Sequence, residues 1–179
     1  MKTVILFFGI IFIILATGYV SRASELNPPD LNPAEILKKP KHNPVDLVTN
    51  GQAVAEIYYG ENCGRQVATV TKELISAIKD ATGADIKIVK KLTPDKPTLI
   101  IGDCPEAKKA GLDGTKMPIE GFEIKTAPQR IFIVGNDDVG TAWGVIDFME
   151  RFMGVRFYWP GKSGASIPKS QDLVIKPAM

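Results

Sequence analysis

Two stretches of this chain repeat apolar residues at helical spacing, and each carries a single apolar stripe. In the first, roughly Gly64 to Thr82, Val67, Val70, Leu74, Ile75, Ile78 and Ala81 recur three and four residues apart, while Lys72, Glu73, Lys79 and Asp80 lie off the stripe. In the second, about Val139 to Met153, the apolar side is Ala142, Val145, Ile146, Met149, Phe152 and Met153. A helix with one stripe must bury it against one partner layer and leave its back to water. About seven short strand-like runs surround these helices. The expected fold class is therefore α/β (α+β): a two-layer sandwich, with one mixed β-sheet and two long helices packed on one face. A doubly wound sheet would require more helices in regular alternation with the strands.

The punctuation between elements supports that order. Val45–Val48 and Ala53–Tyr58 read as strands joined by Asn50-Gly51, a pair that tolerates the positive φ of a tight hairpin. Gly83 follows the first helix as a left-handed cap. Ile86–Val89 alternates, whereas Thr98–Gly102 is nearly all apolar and suits a central strand. Residues 105–118 form a connection with a short helix at 106–110. Gly121–Thr126 and Arg130–Val134 make a second hairpin around Pro128. Asp137 or Asp138 caps the second helix, and Gly140 and Gly144, four apart, permit a close approach of that helix to another element. Gly154 ends it, Val155–Tyr158 and Leu173–Ile175 are the last strands, and Trp159-Pro160-Gly161 is a turn.

Residues 1–23 read as a targeting segment rather than fold. Lys2 is followed by an apolar run from Val4 to Ala16, then by Ser21-Arg22-Ala23, with small residues where a signal peptidase reads. Cleavage would leave a periplasmic or extracellular protein, in a bacterial source. An uncleaved membrane anchor is the alternative, since the apolar stretch extends to Val20, near the lower limit for a span. The chain has 22 Lys+Arg and 20 Asp+Glu. Both excess cations, Lys2 and Arg22, lie in that segment, so the remainder is balanced and lacks the basic surface of a nucleic-acid binder. Residues 24–44 read as a Pro-rich linker: Pro28, Pro29, Pro33, Pro40 and Pro44 each remove a backbone donor. The folded part is expected over 45–177. With 45% hydrophobic residues, the chain has enough apolar material to rule out wholesale disorder.

The residues that usually carry chemistry are sparse. There is no glycine-rich dinucleotide fingerprint, phosphate loop or Gly-x-Ser-x-Gly elbow. The single histidine, His42, falls in the linker, which leaves a His-dependent triad without its base. Gly135–Gly140 lies between a strand and a helix, but its adjacent aspartates repel anions and serve better as caps. Asp147 and Glu150 fit the solvated side of the second helix. No catalytic residue, cofactor or metal is expected; two cysteines and one histidine make a poor ligand set. Cys63 and Cys104 are the only cysteines, and an oxidising compartment makes a disulfide between them the first expectation. It would close a loop of about 40 residues and stabilise by about 3–4 kcal/mol. Trp143, Phe157, Tyr158 and Trp159 cluster late in the chain. Such aromatics most often fill a core; an interface or a sugar contact through Trp143, Tyr158 and Trp159 is the functional alternative.

One run is familiar. Gly135-Asn-Asp-Asp-Val-Gly-Thr-Ala-Trp-Gly-Val-Ile-Asp-Phe-Met-Glu-Arg-Phe-Met-Gly-Val-Arg-Phe-Tyr-Trp-Pro-Gly161 resembles the closing helix and strand of the N-terminal accessory domain of bacterial xylan α-glucuronidases and β-N-acetylhexosaminidases, and of related secreted glycosidase-like proteins. Asp80-Ala-Thr-Gly83, Leu99-Ile-Ile-Gly102 and Pro160-Gly161 followed by Ile167-Pro168 match in kind, so the resemblance covers about Val45 to Pro177. It implies a two-layer sandwich ahead of a (β/α)₈ barrel that carries the catalytic carboxylates. This sequence stops at Met179, where the barrel would begin, so no catalytic residue of those families has a counterpart here. The resemblance therefore implies an exported, non-catalytic accessory domain of glycoside hydrolase type, partnered by a glycosidase barrel in cis or in trans. The alternatives are a free-standing glycan-binding module and a fragment of a secreted glycoside hydrolase.

Overall fold

The computed structural model describes residues 40–60 and 63–178. The targeting segment and most of the linker expected from sequence lie outside the described residues. Among the described residues no helix is long and apolar enough to cross a membrane.

The elements follow the order β1 (Val45–Thr49), β2 (Gln52–Ala53), β3 (Glu56–Tyr59), α1 (Arg65–Thr82), β4 (Lys87–Val89), β5 (Thr98–Ile101), α2 (Pro105–Lys109), β6 (Phe122–Ala127), β7 (Arg130–Gly135), α3 (Asp138–Phe152), β8 (Arg156–Phe157), β9 (Ala165–Ser166) and β10 (Leu173–Ile175). The main sheet has five strands in the order β4-β3-β5-β7-β6. Its first four are mutually parallel, and β6 returns antiparallel to β7 through the hairpin at Pro128-Gln129. This is the expected mixed sheet. Two small sheets, β10-β1-β2 and β8-β9, stand beside it.

Strand side chains alternate between faces, and here the alternation sorts the core into two parts. Ile57, Leu99, Ile101, Ile124, Ile131 and Ile133 pack with Val67, Leu74 and Ile78 of α1 and with Val145, Phe148 and Met149 of α3. Both long helices thus lie on one face, as their single stripes require. Ile100, Phe132 and Val134 point the other way, where Cys104, Ala107 and Leu112 cover them. That second cover is thin, built from the five-residue α2 and its flanking loops, and no periodic sequence signal announces it. β5 faces both parts and is buried throughout.

The Asn50-Gly51 turn forms with φ values of 49° and 72° and pairs β1 with β2. The run 53–58 is nevertheless not one strand. The N–H groups of Val54 and Ala55 both donate to the Leu47 carbonyl, at 3.1 and 3.3 Å, and the chain then departs to the middle of the main sheet. β1 takes β10 as its other neighbour, pairing Val45 with Ile175.

α3 packs tightly because it has two small residues where it meets the sheet. A Cβ on Gly140 would stand 2.6 Å from the Gly121 carbonyl oxygen, and one on Gly144 would stand 2.7 Å from Ile133 Cγ2. The four-residue spacing puts both gaps on one side of the helix.

Candidate functional site

After α3 the chain leaves the two layers. Val155 is still buried, but β8 and β9 pair through only two residues each, with no other strand beside them among the described residues. The loop between them is wound closely: Tyr158 N–H donates to the Gly164 carbonyl at 2.8 Å, and Gly164 N–H to the Gly161 carbonyl at 2.9 Å. A Cβ on Gly164 would fall 1.9 Å from the Trp159 carbonyl oxygen and 2.8 Å from its indole Cδ1, so glycine is what lets Trp159 lie against the loop.

This placement overturns the expectation that the late aromatics fill the core. Tyr158 is 68% exposed, Trp159 58% and Trp143 50%. The first two lie in the loop between β8 and β9, outside the main sheet, and Trp143 falls on the outer side of α3 while Ala142, Gly144 and Val145 face inward. Tyr158 and Trp159 lie together, ring centroids 6.2 Å apart and inclined at 41°. Trp143 does not join them.

Tyr158 and Trp159 flank an open cleft of about 600 Å³. Its lining also includes the buried Ala77, Met149 and Val155, and α1 contributes Glu73, Ser76 and Asp80. Those three recur at helical spacing beside the buried stripe, so they share one edge of α1. The sequence showed them only as polar residues off an apolar stripe. Nothing local linked them to aromatics some eighty residues later.

The other ionisable groups hold structure. Buried Glu56 accepts from Thr93 N–H and Oγ1, each at 3.0 Å, and lies 3.6 Å from Lys96 Nζ. Buried Asp103 sits 3.5 Å from Lys108 Nζ. Asp147 pairs with Arg151 on α3, Nε to carboxylate 2.7 Å, as a solvated helix acid does. Glu150 is half-buried, and its carbonyl accepts from Arg156. The two adjacent aspartates divide their work. Asp137 caps its own helix, accepting from Gly140 N–H at 2.7 Å. Asp138 reaches across to the start of α1 and accepts from the N–H groups of Gly64, Gln66 and Val67 at 2.7, 2.8 and 3.1 Å. Burial alone would raise the Asp138 pKa, but the three N–H groups outweigh it and hold the carboxyl below the ordinary carboxylate range.

His42 is anchored to the domain. Its Nδ1 donates to the Asn43 carbonyl at 2.6 Å, and its Nε2 is hydrogen-bonded to Thr126 Oγ1 on β6 at 2.9 Å. Cys63 and Cys104 are not bridged in this structure: both are free thiols. Cys63 Sγ donates to the Ile101 carbonyl at 3.2 Å, and Cys104 Sγ accepts from Ala107 N–H at 3.3 Å at the start of α2. Burial, helped by the nearby Asp138 charge, pushes the Cys63 thiol up to about 11; burial also raises Cys104. Neither has the electropositive setting of a nucleophile. Among the described residues no group of three or more His, Cys, Asp or Glu side chains is placed to hold a metal.

The fold and the site thus define an α/β sandwich domain with an open, aromatic-edged cleft. Residues 44–148 match the family described as Glycosyl hydrolase family 67 N-terminus, and the chain belongs to that family. At that level it is an accessory domain of glycoside hydrolase type. No curated protein matches the chain. Among solved structures it is similar to a GH20 β-N-acetylhexosaminidase from Streptomyces coelicolor A3(2), with 17% identity, 60% of this chain and 18% of that chain covered, and a TM-score of 0.43. It is also similar to a family GH115 4-O-methyl-α-glucuronidase, with 18% identity, coverage of 73% and 18%, and a TM-score of 0.45. A β-hexosaminidase from Streptomyces plicatus gives 18% identity, coverage of 60% and 18%, and a TM-score of 0.38. The chain spans about a fifth of the length of these solved proteins. Family membership rests on the match over 44–148.

Proposed function

We propose that this chain is an exported accessory domain with no hydrolytic machinery of its own, working beside a glycosidase barrel in cis or in trans. The observation that carries the reading is the family match over 44–148. Buried Glu56 supports it, because both of its oxygens are committed to Thr93 and Lys96 inside the domain rather than paired across an open site. The barrel contact is assigned to the outer, solvated side of α3, where Trp143 stands half exposed. A large rigid aromatic at such a place is a common interface anchor. The segment 1–23 supplies the export signal in this reading, and residues 24–44 the spacer to the folded part, taken as 45–177.

The test is to assay the exported protein on aryl glycosides and glucuronoxylan. No turnover above the blank is expected, and hydrolysis that survives repurification would end the reading. A family barrel added in trans should bind, and Trp143→Ala should weaken that binding about tenfold or more. N-terminal sequencing of the exported protein should begin near Ser24; a start at Met1 would replace export with anchoring.

A further inference from the structure

We propose that the cleft between the second half of α1 and the 158–161 loop is a binding site for a neutral oligosaccharide. Its two walls carry complementary chemistry. One is lined by the rings of Tyr158 and Trp159, each more than half exposed. An aromatic face is electron-rich, so it attracts the weakly positive C–H groups that a pyranose ring offers on its flat side. The other wall presents Glu73, Ser76 and Asp80. An ionised carboxylate only accepts, with about four lone-pair sites, and so suits pairs of neighbouring hydroxyls. Glu73 makes no hydrogen bond or ion pair with any described residue, which leaves its whole acceptor capacity for a ligand. Glu73 and Asp80 are two turns apart on α1, about 10 Å along the axis, so the polar wall is longer than a single sugar ring.

The volume suits such a guest. About 600 Å³ lies within the usual range of roughly 300–1,000 Å³ for small-molecule sites. The aromatic wall is held in advance: the Tyr158–Gly164 and Gly164–Gly161 hydrogen bonds fix the loop, and Gly164 admits the indole. Pre-set rings lose little freedom on binding. The two acids disfavour the phosphates of a nucleotide, the other common guest of stacked aromatics. The site is separate from Trp143, so it adds to the proposed barrel contact and does not depend on it.

Titrating the protein with xylo-, cello- and chito-oligosaccharides of three to four units, followed by amide NMR, tests the site. The expected result is saturable shifts at residues 73–80 and 157–161 for at least one series at millimolar ligand. Trp159→Ala should weaken binding about tenfold or more, and Glu73→Gln less. Ser76→Phe fills the cleft from a half-buried position on α1 without touching the loop, and should abolish binding while thermal stability stays the same. That variant keeps the test decisive should Trp159→Ala disturb the loop. Trp143→Ala should leave sugar affinity unchanged. Absence of shifts with all three series would overturn the proposal, as would shifts centred on Trp143, binding that survives Ser76→Phe, or a barrel partner that covers Trp159 while no sugar binds.

Discussion

α1 and α3 lie in one layer over the same sheet, yet their N-termini are held by different means. α3 has a local solution: Asp137 precedes it and accepts from Gly140 N–H. α1 has none. Its flanking residue is Gly64, no side chain nearby caps it, and its first turn holds no acid. The free N–H groups that begin any helix are served instead by Asp138, seventy-odd residues later and itself in the first turn of α3. One carboxylate therefore faces two positive helix ends at once. The adjacent aspartates teach that equal residues at neighbouring positions can do different work: one closes its own helix, the other fastens two helices together.

The largest effect on this arrangement should come from separating the helices from the sheet. Gly140→Val would push side-chain atoms into the Gly121 backbone, which cannot swing aside, and should cost about 3 kcal/mol in urea unfolding. A cost below about 1 kcal/mol would mean that α3 does not sit as closely as described. Next, Asp138→Ala should cost about 2 kcal/mol, since three N–H groups lose their acceptor. Amide exchange should quicken at the start of α1, not only in α3. This effect has a pH signature. The Asp138 carboxyl is held below its ordinary value in the folded state, so its stabilisation is complete above the unfolded pKa and fades as pH falls toward the folded one. The stability gap between the protein and Asp138→Asn should thus close as pH drops below about 4. A gap that stays constant from pH 7 to 3 would show that charge is not what matters there.

Asp137→Ala removes only a local cap and should cost about 1 kcal/mol, with faster exchange confined to the first turn of α3. If the two alanine variants cost the same and loosen the same helix, the division of labour is wrong. The smallest effect has the opposite sign. Thr71 is buried on the inner side of α1 and its hydroxyl has no partner among the described residues. Thr71→Val keeps the shape and should stabilise by up to about 1 kcal/mol. A loss instead would reveal a bond to that hydroxyl.

The helices were readable because their signal repeats. Val67, Leu74 and Ile78 recur at a fixed spacing that only one backbone satisfies, and the bounds expected for both helices fall within a residue of those observed. Gly140 and Gly144 announced a close approach, but not that Gly121 and Ile133 would receive it. The second cover of the sheet was hidden, since α2 is too short to show a period and Leu112 lies in a loop. The aromatics were misjudged for a related reason. Val155–Tyr158 reads as a strand and aromatics there as core, but the strand forms only a two-residue ladder outside the main sheet, and Phe157, Tyr158 and the turn residue Trp159 stay exposed among the described residues.

By itself the sequence determined the class of the fold, its two helices, the Asn50-Gly51 hairpin and the family resemblance, because each rests on residues close together in the chain. Tertiary structure alone decided the rest. It split the run 53–58 between two sheets, paired β1 with β10, lent Asp138 to α1 and brought Trp159 and Glu73 to one cleft. Each of those pairings joins groups that no local period, propensity or cap couples. They become neighbours only after two apolar stripes have found the same face of one sheet, when packing fixes where every remaining side chain must stand.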